Sequence, residues 1–162
     1  MRSSVLLAVA VAAVASGAGA TPLWTVDNAE IAYLFYGEPE KPVLTITCGH
    51  EEGETGKDET RIEIEVEKGT KPGKDKVVLR VEQDKDGRDV PLKPLVCGGL
   101  NECTNQPDGE VYRYETSVPG KELALDIASK GRKLIIDAPG AKIAAPADAT
   151  AFKKFSVRCL NW

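Results

Sequence analysis

Short runs of alternating apolar and polar side chains recur along this chain, and they predict strands before any residue is considered for its chemistry. The clearest run is 61–67, where Ile62, Ile64 and Val66 fall on one face and Glu63, Glu65 and Glu67 on the other. That period of two describes an antiparallel strand with one buried and one solvated face. The same period appears at 77–82, with Val77, Leu79 and Val81 inward, and at 110–118, with Tyr112, Tyr114, Thr116 and Val118 on one face. Shorter β-prone runs lie at 24–26, 31–36, 43–48, 132–137 and 142–145. Turns are expected at Pro72-Gly73, Asp86-Gly87, Pro107-Asp108-Gly109 and Pro139-Gly140, dipeptides suited to hairpins or to type II geometry. Pro91 and Pro94 point to a sheet edge or a loop, because proline cannot donate to a ladder.

Helical spacing is confined to the second half. Leu123, Ala124, Ile127 and Ala128 recur within 121–130, and Gly131 stands where a C-terminal cap falls. Leu123, Leu125 and Ile127 also alternate, so a strand competes with this helix. Residues 148–152 predict a short helical turn. The final run, 152–160, predicts a closing strand with Phe155, Val157 and Cys159 on its inner face and Ser156 and Arg158 on the other. About eight to ten short strands with little helix make a mainly β chain. The expected architecture is a single-domain antiparallel β-sandwich or small barrel, with one or two short helices, over 21–162.

The N-terminus changes the picture by placing the domain. Arg2, the apolar run 5–14 and Ala18-Gly19-Ala20 read as a secretory signal cleaved after residue 20. No later run is long or apolar enough to span a bilayer. The expected localisation is therefore periplasmic or secreted. All four cysteines, Cys48, Cys97, Cys103 and Cys159, lie beyond the signal, and an even count in an oxidising compartment favours two disulfides, with three possible pairings. Cys97 and Cys103 enclose a short glycine-containing loop that a local bridge would close, which leaves Cys48 for Cys159.

Charge and composition remove several functions. The formal net charge is −4, and loss of Arg2 with the signal makes it −5. Binding to nucleic acid and simple adsorption to an anionic membrane both call for surplus Lys and Arg. His50 is the only histidine and Met1 the only methionine, so sites built on several imidazoles or on an axial thioether are excluded. The serines beyond the signal, Ser117, Ser129 and Ser156, sit in no nucleophile motif. No Walker loop or dinucleotide fingerprint is present. No cofactor is expected, and an enzyme is not the expectation.

Three local features remain. His50, Glu51, Glu52, Glu54, Asp58 and Glu59 crowd one connection, a candidate cation site set against the reading of a solvated acidic loop. Residues 82–87 begin like an EF-hand loop, but Lys93 occupies the twelfth position, where a bidentate Glu is needed, so a hairpin is expected there. Trp24, Tyr33, Phe35 and Tyr36 concentrate aromatic side chains near the start of the domain. Core packing is the default for them, with a partner-facing patch as the alternative.

The signal, the 43–48 strand, Lys133-Leu134-Ile135-Ile136 after a glycine, and the 155–159 segment resemble small exported β-sandwich proteins of Gram-negative bacteria, of the invasion-associated locus B type. The resemblance lies mainly in the last forty residues and implies a periplasmic or secreted β-sandwich. The functional expectation is a non-enzymatic binding module for a protein or cell-envelope component. The alternatives are a cation-binding domain using 50–59 and a carboxylate-dependent hydrolase.

Overall fold

A computed structural model of the chain describes residues 23–27, 32–38, 40–48, 60–70, 76–84, 86–94, 111–116 and 118–159. Nine strands form in chain order: β1 (Leu23–Asp27), β2 (Ala32–Glu38), β3 (Lys41–Cys48), β4 (Thr60–Glu65), β5 (Val77–Glu82), β6 (Arg88–Pro94), β7 (Val111–Thr116), β8 (Lys133–Ala138) and β9 (Ala141–Pro146). Helix α1 (Gly120–Lys130) lies between β7 and β8, and α2 (Ala149–Arg158) follows β9. The strands make one antiparallel sheet in the order β1-β2-β3-β4-β7-β6-β5-β8-β9. The sheet curls into a half-barrel, so the mainly β, antiparallel, single-domain expectation holds.

The alternation read from the sequence decides which face curls inward. Leu34, Leu44, Ile46, Ile62, Ile64 and Tyr112 are buried, as are Leu79, Val81, Leu134 and Ile136 from the other half of the sheet. Glu63 and Arg113 stand opposite each other on the outer face and form an ion pair at 2.8 Å. Pro91 is tolerated inside β6 because β7 pairs with β6 only at Lys93 and Pro94. No neighbouring strand asks Pro91 for the N–H it lacks.

The closing segment is not a strand. Residues 149–158 form α2, and Val157, expected on the inner face, is 66% exposed. Asp148 caps the helix by accepting from the amides of Thr150 at 2.8 Å and Ala151 at 3.0 Å, a cap that satisfies two first-turn donors. Ala151, Phe152, Phe155, Ser156 and Cys159 then share one buried stripe, the spacing of a helix rather than of a strand. The segment 155–159 fits both periods. The cap upstream and the room left inside the curl decide for the helix.

α1 and α2 pack along each other, with α2 also against β1 and β2 and α1 against β3. Their anchor is the Cys48–Cys159 disulfide, with a Cα–Cα distance of 5.5 Å. Gly120 opens α1 directly against it: an added Cβ would lie 2.6 Å from the Cβ of Cys48. The start of α1 therefore meets the end of α2, and the two helices run antiparallel. Cys97 and Cys103 lie outside the described residues.

Candidate functional site

The feature that singles out one region is the seam where the curled sheet fails to close. β1 and β9 are the two ends of the strand order. β8 and β9 are joined by the two-residue turn Pro139-Gly140, with Gly140 at φ +72°, a conformation that glycine adopts without strain. In such a hairpin the flanking pair, here Ala138 and Ala141, exchanges hydrogen bonds, and every second pair after it does the same. Ala141, Ile143 and Ala145 thus direct their amides to β8. Gly140, Lys142, Ala144 and Pro146 turn their backbone groups to the open edge.

Both ends of that edge are engaged. The Gly140 carbonyl accepts from the Glu67 amide at 3.2 Å. The Pro146 carbonyl accepts from Nε1 of Trp24 at 2.6 Å, so a side chain of β1 spans the gap that no strand fills. Thr70 braces the first junction: its amide and hydroxyl both donate to the Glu67 carbonyl, at 3.0 and 2.6 Å, while its own carbonyl accepts from the Tyr112 hydroxyl. Trp24 braces the second, lying edge-on to Phe152 of α2 with centroids 4.9 Å apart and tilted against Tyr36 at 5.0 Å. Between the two junctions, the backbone groups of Lys142 and Ala144 meet no strand among the described residues.

A groove of about 840 Å3 opens along this stretch. Lys142, Ile143 and Ala144 form one wall, Tyr36, Gly37 and Val43 of the β2–β3 hairpin the other, and Val66 and Glu67 lie between. Its rim is charged with both signs, and Lys41 pairs with Glu65 there at 3.2 Å. The volume falls in the usual range of ligand clefts, and the mixed apolar wall and polar rim match their composition. A smaller cleft of about 320 Å3 lies beyond Trp24, between β1 and the start of α2.

Groups held away from their ordinary protonation behaviour serve the scaffold. Burial pushes the Tyr112 and Tyr114 phenols up, with the neighbouring Tyr112 adding to the shift at Tyr114. Hydrogen bonding and charge from Arg132 hold the exposed Asp84 carboxyl below its ordinary value. That pair is bidentate, at 2.7 and 2.8 Å, and ties the turn after β5 to the start of β8. Glu82 ends β5 and Arg88 opens β6, and the two strands pair antiparallel, as expected from the missing twelfth ligand of the EF-hand pattern.

No family model, curated protein or solved structure matches this chain. The site is therefore read from its own geometry.

The four aromatic candidates divide between two faces. Trp24 and Tyr36 belong to the seam. Tyr33 and Phe35 stand half-buried on the outer face, stacked with centroids 5.7 Å apart and planes 4° from parallel. His50, Glu51, Glu52, Glu54, Asp58 and Glu59 lie outside the described residues. Among the described residues no three His, Cys, Asp or Glu side chains gather as a metal site. Sequence reasoning missed the edge of β9 altogether. Lys142, Ile143 and Ala144 carry no chemical signature, and their backbone becomes available only because β9 ends the strand order.

Proposed function

We propose that this protein is an exported, non-enzymatic binding module that takes up an extended peptide segment of a partner protein by strand addition at the β9 edge. One observation carries the reading: Lys142 and Ala144 present two consecutive outward-facing sets of N–H and C=O groups to an open groove, between ends held by Glu67 and Trp24. A peptide laid along them would add a short tenth strand, with backbone bonds giving affinity and the groove wall selecting alternate side chains. An apolar residue of the peptide would face Ile143, Val66 and Val43, and its flanks the charged rim.

Export is supported by the signal-like residues 1–20 and is in keeping with the Cys48–Cys159 disulfide. Among the described residues no helix is long and apolar enough to cross a membrane. A periplasmic or secreted setting would present the groove to other exported or envelope proteins. Binding rather than chemistry is supported by the single histidine of the whole chain.

The test is selection of random displayed peptides on the folded domain, followed by amide hydrogen exchange with a selected peptide bound. The expected result is slowed exchange at Lys142 and Ala144, with affinity reduced about tenfold by Ala144→Pro, which removes one edge donor. Slowed exchange elsewhere, such as at Tyr33 and Phe35, or full affinity in Ala144→Pro, overturns the reading.

A further inference from the structure

The net negative charge of the chain conceals a local cluster of positive charge on α2. Several cations on the sheet are matched, Arg80 with Asp89 at 3.0 Å, Arg113 with Glu63 at 2.8 Å, Arg132 with Asp84 at 2.7 Å and Lys41 with Glu65 at 3.2 Å, while Lys93 and Lys133 stand singly and exposed on separate strands. Arg88 engages the acidic side of α1, lying 3.2 Å from Asp126 and 3.6 Å from Glu122. The helical surface differs. α2 contains Lys153, Lys154 and Arg158 and no acidic residue, and all three cations are exposed without a carboxylate partner among the described residues. Lys121 in the first turn of α1 is likewise exposed and unmatched, and the antiparallel packing sets that turn beside the end of α2.

Each of the two helices also carries an exposed aliphatic side chain. Val157 is 66% exposed and Leu125 of α1 47%. On a helical wheel Val157 sits opposite the stripe of Phe152, Phe155 and Cys159, with Lys153 and Lys154 to either side. Leu125 stands on the solvent side of α1, away from the buried stripe of Leu123, Ala124 and Ile127. Neither packs into the core, and nothing in the fold requires an aliphatic side chain at either position.

We infer that the α1–α2 face docks on an anionic lipid surface, with Lys121, Lys153, Lys154 and Arg158 engaging headgroup phosphates and Val157 and Leu125 entering the headgroup–acyl boundary. Charge complementarity selects an anionic partner, and the aliphatic tips select lipid over a soluble polyanion, which offers them no apolar environment. Amphipathic surfaces of this composition bind by summing the two contributions. The face and the β9 groove involve different elements. Lipid docking would leave the groove open to the aqueous side.

Sedimentation of the mature chain with vesicles tests this, comparing phosphatidylcholine alone with phosphatidylcholine containing phosphatidylglycerol. Binding is expected only to the anionic vesicles, and it should weaken as salt rises. Lys153→Gln and Lys154→Gln should each weaken it about fivefold. Val157→Asp should weaken it further, while Val157→Leu strengthens it and Ala144→Pro leaves it unchanged. Equal binding to both vesicle types overturns the inference, as does no binding to either. So does loss in the lysine variants with full binding by Val157→Asp; soluble polyphosphate competing equally would then assign the face to a polyanion.

Discussion

Gly120 shows how a single residue holds two elements together. A methyl group there would stand 2.6 Å from Cβ of Cys48 and 2.7 Å from Oγ1 of Thr60, inside contact distance for both. Neither neighbour can retreat, because Cys48 is bonded to Cys159 and Thr60 is fully buried in β4. Gly120→Ala should therefore lower stability by about 1–3 kcal/mol, read as a shift of the denaturation midpoint without loss of the folded spectrum. In the sequence, Pro119-Gly120 carries only the signature of a turn or helix start. The requirement for a bare Cα comes from Cys48 and Thr60, which are remote in the chain. Trp24 is a similar case, legible as an aromatic near the core but not as the donor to Pro146.

At the level of elements, local pattern places the long strands and the short ones alike and fails at the closing segment. β4, β5, β7 and α1 appear where the period placed them, within a residue or two at their ends. The 155–159 segment satisfied both periods, and the strand reading put Val157 inside. A direct check is to compare two substitutions in α2. Phe152→Ala should cost about 3–5 kcal/mol, because it empties a fully buried site against Trp24. Val157→Asp should change stability by no more than about 0.5 kcal/mol, as for other exposed sites. A strand at this position would make Val157→Asp the damaging variant. Thermal or urea unfolding of the two distinguishes the cases. The deciding signal, Asp148 three residues ahead of Ala151, is present in the sequence, but a cap by itself specifies only the first turn of a helix and not its length.

For the whole molecule, the disulfide and the seam are complementary closures. The Cys48–Cys159 bridge spans 111 residues and fastens α2 to β3, while Trp24 and Glu67 hold the open edge of β9 at two points. In the chain-entropy account a bridge of that span contributes about 4 kcal/mol. The double variant Cys48→Ala/Cys159→Ala should thus melt roughly 10 °C lower, measured by calorimetry on residues 21–162. A melting point equal to that of the parent would show the helices held by packing alone. The even cysteine count, all beyond the signal-like residues 1–20, makes a bridge legible in advance. Which faces it brings together depended on α2 being a helix.

What the sequence determined by itself are properties carried by short windows: the inward and outward faces of each long strand, the hairpin turns, the mainly β class and the remote pair of cysteines. These follow from the geometry of a few consecutive residues, since side chains two apart share a face in a strand and those three or four apart share one in a helix. The tertiary structure alone decided that β7 lies between β4 and β6, that β9 ends the sheet with Lys142 and Ala144 unmatched, and that the first turn of α1, with Lys121, lies beside the end of the cationic α2. Strand order and the pairing of the two helices arise from contacts between residues far apart in the chain. Each such contact is chosen only when the whole core closes, because its loop-closure cost is repaid by burial that no single segment provides.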